Sequence, residues 1–252
     1  MRRTELRDPL WNSIASFGLK TLHFRGKSVR PGARGLAPEA STGTASSFAA
    51  PPAPRQGESA ESLMRKILEE TVDCRGCRLA ETRTNLVFGE GNPGSRILFV
   101  GEGPGATEDE TGRPFVGKAG QLLDRILAAI DIDRTKCYIA NVVKCRPPAN
   151  RVPASDEIAA CSGILERQIE AIHPRVIVAL GASAASALLD CRQGLAALRG
   201  SFHSRRGIPL LVTYHPAALL RTPALKRPVW DDMKKLRSFL EGDGRQESSG
   251  NG

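Results

Sequence analysis

No run of apolar residues in this 252-residue chain approaches the ~18 needed to cross a bilayer, which excludes a membrane-spanning helix. No internal repeat is visible either. The N-terminus carries arginines but no continuous apolar segment after them, so no secretory signal is expected. Histidine is scarce: His23, His173, His203 and His215 are the four available for acid–base or metal chemistry. Without a secretory signal, and with enough chain to bury a core unaided, the six cysteines are not needed as a disulfide framework. A reducing, cytoplasmic compartment is expected, and the question for the thiols becomes metal binding.

The chain has 40% hydrophobic and 25% charged residues, ordinary for a globular protein, with a net charge of +9. Residues 1–60 hold nine Lys/Arg against four Asp/Glu, so about half of the excess sits in what reads as an extension. That extension is basic and rich in Pro, Ala and Ser (RPGARGLAPEASTGTASSFAAPPAPRQ), a composition expected to be disordered. Leu10, Ile14 and Phe17 have helical spacing within it. Its Arg-rich start has the look of a transit peptide, but Glu5, Asp8 and the Pro/Ala linker favour a bacterial extension. The folded domain is expected over 61–241, followed by a flexible tail over 242–252.

Within that domain, strand-like and helix-like segments alternate. Strands are predicted at Ile97–Val100, Tyr138–Val143, Val176–Leu180 and Leu210–Thr213. Helices are predicted near Ser59–Leu68, from Gly120 to Ile130, at Ser155–Ile172, Ser183–Leu189 and Val229–Leu240. Alternation of this kind implies an α/β fold whose ligand binds beyond the carboxyl ends of parallel strands. Gly101-Glu102-Gly103, Asn141, Gly181 and His215-Pro216 lie at or near those ends.

The stretch after the first strand, GEGPGATEDETGRPFVGKAGQLLD, invites two nucleotide readings and supports neither. Gly112-x4-Gly117-Lys118 mimics a phosphate loop, but Ala119 stands where Ser or Thr must reach the metal. GEGPGA fits the loose dinucleotide fingerprint, yet the helix is expected more than ten residues later. Glu108, Asp109 and Glu110 would also repel a phosphate. Asn141 sits in an otherwise apolar strand, where an unpaired amide would cost ~1–3 kcal/mol. It therefore has a backbone or ligand partner, and its side-by-side donor and acceptor suit the edge of a base. Phe115, among glycines and prolines, is either core or a stacking surface.

Cys74-x2-Cys77, Cys145 and Cys161 form a possible four-thiolate set. Four thiolates satisfy tetrahedral zinc or an iron–sulfur cluster, and spacing does not choose between them. Cys137 and Cys191 read as small core residues.

Taken together, GEGPGATEDETGRPFVGKAGQLLD, ANVVKCRPPANR, the four cysteines and HPAALLR resemble family 4 uracil-DNA glycosylases, from about Cys74 to Arg221. The resemblance implies a three-layer α/β/α fold around a central four-stranded parallel sheet. It implies a structural 4Fe–4S cluster on Cys74, Cys77, Cys145 and Cys161. Gly101, Glu102 and Gly103 would line a uracil pocket, Phe115 would stack on the base, Asn141 would read its O4/N3 edge, and His215 would contact O2. Glu108 would block thymine's methyl group, and Glu102 would either orient water or sit in a backbone-built wall. Leu219 or Leu220 would wedge into DNA, with Arg221 on a phosphate. The implied activity is monofunctional uracil excision from single- or double-stranded DNA, leaving an abasic site. Separately from the resemblance, a monomer is expected, and the N-terminal extension is a candidate surface for repair-protein contacts. A non-catalytic iron–sulfur nucleic-acid-binding module on the same fold is the alternative. A basic, His-bearing insert that lets one relative become trapped on DNA is replaced here by CRPPANRVPAS, which has no His. RGSFHSRRG departs from the aromatic-rich loop usual before the last strand.

Overall fold

The computed structural model describes residues 58–247, all within the unit Phe48–Gly252. The expected extension, with the helical spacing at Leu10, Ile14 and Phe17, lies outside the described residues up to residue 57, as does the tail from 248 onward. Among the described residues no helix is long and apolar enough to cross a membrane.

A six-stranded mixed sheet organises the domain. Its strands are β1 (Glu90–Gly91), β2 (Ile97–Gly101), β3 (Tyr138–Asn141), β4 (Val176–Leu180), β5 (Phe202–Arg205) and β6 (Ile208–Thr213). The order is β1-β3-β2-β4-β6-β5, with β3, β2, β4 and β6 parallel and both edges antiparallel. The four inner strands form the expected parallel sheet, and two antiparallel edges extend it to six strands. The two missed strands are edges: β1 is two residues long, and β5 (FHSR) is polar and only partly buried, so neither carries an apolar strand pattern. The four inner strands are buried at nearly every position and read as continuous apolar runs because helices cover both faces.

One face carries α1 (Ala60–Thr71) and α4 (Ser155–Ile172), packed on Leu98, Val100 and Ile177. The other carries α3 (Lys118–Ala128), α7 (Pro216–Arg221) and the closing helix α8 (Lys226–Glu247) around Phe99, Val178 and Leu211. Helix α1 is capped by Ser59, whose hydroxyl accepts from the Ser62 amide at 3.2 Å. Helix α8 reaches Glu247 instead of ending at Leu240, so part of the expected tail is helical. Helices α5 (Ala182–Leu189) and α6 (Leu195–Leu198) fill the crossover from β4 to β5.

The segment read as a loop after β2 contains a helix, α2 (Ala106–Thr111), starting directly behind GEGPG. It was missed because ATEDET has no apolar periodicity; the residue it buries is Asp109, whose carboxylate accepts from the Thr84 amide at 2.9 Å. The late helix therefore falls away as a reason against a dinucleotide site. The acidic cluster stands, with Glu108 and Asp109 in the first turn of α2.

Candidate base-binding site

Beyond the carboxyl ends of the parallel strands lies a cavity of about 600 Å³, in the range that encloses a small organic ligand. Strand pairing places Asn141 beside Gly101, and the chain past both strands stays tied together. The Val142 amide donates to Gly101 O at 2.9 Å, and the Val143 amide to Glu102 O at 3.1 Å. Glu102, Gly103, Glu108, Phe115, Asn141 and His215 all line the cavity. Gly101, expected to line the pocket, does not: it is buried behind the wall, where a methyl group would stand 2.5 Å from both Asn141 Oδ1 and Phe115 Cζ.

Asn141 is 1% exposed, and its amide oxygen is buried without a hydrogen-bond partner. A buried acceptor left unpaired costs ~1–3 kcal/mol, so this oxygen is open to a donor that enters the cavity.

Phe115 is held from several sides. Its backbone is left-handed, with φ 52°, a conformation a bulky residue rarely adopts. Arg134 fixes it by donating from Nη1 to Phe115 O at 2.8 Å and from Nη2 to Pro114 O at 2.6 Å. Gly120 packs so closely that a methyl group there would overlap the same carbonyl. Strain of this kind clusters where a side chain must be aimed. The aimed ring lies 5.5 Å from the His215 ring, centroid to centroid, tilted by 34°.

His215 caps α7, and its Nδ1 accepts from the Ala217 amide at 3.2 Å. That bond puts the ring proton on Nε2 in the neutral form. Burial, and then the Arg221 cation, pull the imidazole down to about 4, while Glu108 opposes them. At neutral pH the cavity wall therefore presents a neutral Nε2–H donor.

Glu108 is tied down: its Oε1 accepts from the Val116 amide at 2.9 Å and from the Gly117 amide at 2.8 Å. It cannot swing, so it acts on the cavity as a fixed carboxylate edge. The Glu102 carboxylate accepts from the Ser183 hydroxyl, in the first turn of α5. Ser183 was missed in sequence, although Gly181 two residues earlier had marked the strand end. Arg134 gave no local signal at all. Asn150, Arg151 and Val152 add a further cavity wall. Arg151 is braced there by a two-pronged bond to buried Glu157, at 2.6 and 2.7 Å.

On α7, Leu219 is 2% exposed and belongs to the core, whereas Leu220 is 47% exposed beside Arg221 at the cavity rim. Of the two, only Leu220 has a side chain free to leave the protein. That removes Leu219 as a wedge.

Cys74, Cys77, Cys145 and Cys161 line a second, small cavity with Arg83 and Lys144. All six cysteines are free thiols. Among the described residues no three His, Cys, Asp or Glu side chains converge on a single ion. Three N–H groups already point at sulfur: the Gly76 amide at Cys74 (3.4 Å), Arg83 Nη1 at Cys145 (3.2 Å) and the Lys144 amide at Cys161 (3.3 Å). Burial pushes the Cys145 and Cys161 thiols up, while Arg83 and Lys144 respectively pull them down. A thiolate-bound, anionic group fits this donor set. Cys137 lies in the core, as expected.

A cavity at parallel strand ends, with an aromatic face and a buried amide, defines an α/β ligand-binding protein. The sequence matches the Uracil DNA glycosylase superfamily over residues 88–234, and the chain belongs to that superfamily. It is 48% identical to a type-4 uracil-DNA glycosylase of Thermotoga maritima, over 73% of this chain and 98% of the relative. It is 44% identical to one of Sulfurisphaera tokodaii, over 70% of this chain and 84% of the relative. A third, of Saccharolobus solfataricus, is 40% identical over 73% of this chain and 95% of the relative.

Proposed function

We propose that this protein excises uracil from DNA by hydrolysing the bond between the base and its deoxyribose. The unpaired Asn141 oxygen beside the Phe115 ring carries the reading. Uracil offers N3–H as a donor and O4 as an acceptor. Asn141 Oδ1 accepts the first and its amide nitrogen donates to the second. Cytosine reverses both, with a bare N3 and a donor at position 4, and leaves the pair unmatched. Thymine differs by a methyl group at C5, which the pinned Glu108 carboxylate excludes.

A base stacked in a duplex is out of reach of such a cavity, so it is flipped out at a cost of a few kcal/mol. Leu220 holds the vacated stack open and Arg221 contacts the backbone. Rupture of C1′–N1 leaves both bonding electrons on the base, where charge spreads to O2, and an oxocarbenium-like sugar. The neutral His215 Nε2–H donates to O2 as that charge grows, which favours the transition state over the ground state. Water, oriented by Glu102, then adds to C1′ and gives up a proton, which neutralises the departing uracil anion. No lysine nucleophile is involved, so the products are free uracil and an intact strand with an abasic site.

Cys74, Cys77, Cys145 and Cys161 would hold a 4Fe–4S cluster, which when bound contributes a rigid covalent tie among three separate chain segments. Hydrolysis transfers no electron, so the role is structural. We expect the folded unit, from α1 through α8, to act as a monomer in a reducing compartment.

The test is a uracil-release assay on purified protein, with a visible spectrum of the same sample. Brown protein that liberates uracil from single strands and from U:G and U:A duplexes without added metal is expected. Cluster-loaded, folded protein that binds DNA in a salt-sensitive way but yields no abasic product would overturn the proposal.

A further inference from the structure

Lys144 is a cation with no exposed surface, three residues past the end of β3. Its ammonium donates to Asn141 O at 2.8 Å and to Gln168 Oε1 at 2.6 Å. Gln168 is also fully buried, and its Nε2 donates to Phe88 O at 3.0 Å. Both acceptors of the ammonium are neutral. Burying an ammonium without an anion is expensive, so a fold that keeps one supplies negative charge nearby. The side facing away from Asn141 gives the answer: Lys144 lines the thiol cavity, and its own amide donates to Cys161 Sγ. One residue therefore touches both sites, binding a cluster-ligand candidate through its backbone and the Asn141 peptide through its side chain.

We infer that Lys144, held by Gln168, is a positioning residue that couples the thiol-lined lobe to the base pocket. The inference rests on the proposed uracil-excising, cluster-bearing reading. Asn141 must place two side-chain bonds on one base edge, and the orientation of its peptide fixes where that side chain points. The Val142 amide secures one side of this peptide against Gly101 O, and the Lys144 ammonium secures its carbonyl. With four thiolates and their cluster in place, the ammonium has its counter-charge and stays on Asn141 O. With the lobe empty, the buried ammonium lacks that counter-charge and holds the Asn141 carbonyl less firmly. Occupancy of either site then favours occupancy of the other, as linkage requires.

The experiment uses full-length, cluster-loaded wild type, K144M and Q168L. Two quantities are read: affinity for free uracil, and the rate at which a chelator bleaches the visible spectrum with and without saturating uracil. In the wild type, uracil is expected to slow bleaching several-fold. K144M is expected to bind uracil about tenfold more weakly, the loss of one charge-assisted hydrogen bond, with bleaching no longer slowed by uracil. Its affinity for uracil-free DNA is expected to be unchanged, because Lys144 has no surface. Wild-type bleaching that ignores uracil, or K144M with wild-type uracil affinity and protection, overturns the inference. Should K144M fail to load iron, Q168L decides, since it keeps the cation beside Cys161 and removes one of its acceptors. Weaker uracil binding with reduced protection in Q168L supports the coupling, and both unchanged overturns it. Failure of the parent reading is separate: colourless wild type, or cluster-loaded wild type that releases no uracil.

Discussion

The Asn141 amide oxygen and the edge of the Phe115 ring converge above one backbone atom, each 2.5 Å from where a methyl group on Gly101 would stand. The proposed recognition amide and stacking face are therefore set by a single close approach, from strands and loops far apart in sequence. Gly101→Ala is expected to push both aside. Overpacking there costs about 1–3 kcal/mol of stability, and misplacing the two contacts lowers uracil release by about a hundredfold or more. Thermal unfolding and single-turnover release read the two effects separately.

Removing Asn141 or Phe115 alone isolates their contributions. Asn141→Ala deletes the donor and acceptor for one base edge and is expected to lower single-turnover release by about 10²–10³. Phe115→Ala is expected to fall in the same direction. Neither side chain reaches the outer surface, so affinity for uracil-free DNA is expected to be unchanged. Equal losses in rate and DNA affinity would mean that these residues form part of the DNA track and not of the base pocket.

How much of this arrangement was legible depends on how local its signals are. Asn141 stands out as an amide inside YIANVV, and His215 as a histidine locked before a proline at a strand end, so both could be singled out from sequence. Arg134 holds the Phe115 carbonyl from 19 residues away, and Lys144 meets Gln168 across 24. Nothing in the neighbourhood of either cation marks the partner. Helix α2 was invisible for a different reason: its buried position is filled by Asp109, so the apolar stripe that announces a helix is absent. Leu219 and Leu220 are consecutive on a helix of six residues, and only packing separates core from rim.

His215 has a pH signature that follows from its enclosure. Its imidazole is lowered to about 4, chiefly by burial and then by Arg221, against an opposing pull from Glu108. The ordinary value is ~6.5, so between the two the unfolded chain binds a proton that the folded chain does not. Stability from this group is complete above ~6.5, declines as pH falls, and is lost progressively toward about 4. Uracil release is expected to show no histidine inflection between about pH 5.5 and about pH 8. Titration of the His215 ring followed by NMR checks this, and a midpoint near the ordinary value would contradict the neutral-donor role. His215→Ala is expected to slow release by about 10²–10³, the effect of removing one oxyanion donor.

The Ser183–Glu102 bond predicts a pair of residues that act as one. With its hydroxyl gone in Ser183→Ala, the Glu102 carboxylate loses its aim, and release is expected to fall about tenfold through kcat with little change in KM. Ser183→Thr, which keeps the hydroxyl, should restore most of the rate. In a double-mutant cycle, Ser183→Ala is expected to add almost nothing to Glu102→Gln. Full additivity would mean that the serine works independently of the carboxylate.

The two leucines of α7 give opposite outcomes in two measurements. Leu219 is sealed in the core with Leu211 and Met233, so Leu219→Ala leaves a cavity and is expected to cost about 2–5 kcal/mol of stability. Its surviving folded fraction should process single-stranded and duplex uracil with unchanged preference. Leu220→Ala removes an exposed side chain and is expected to leave thermal unfolding within about 0.5 kcal/mol of wild type. Duplexes need a wedge to hold the vacated stack and single strands do not, so excision from a U:A duplex should fall about tenfold or more while single-strand excision stays near wild type. Excision from U:G should fall less, because a mismatched base costs less to extrude. An equal loss on single strands would place Leu220 against the base or the sugar instead of in the stack.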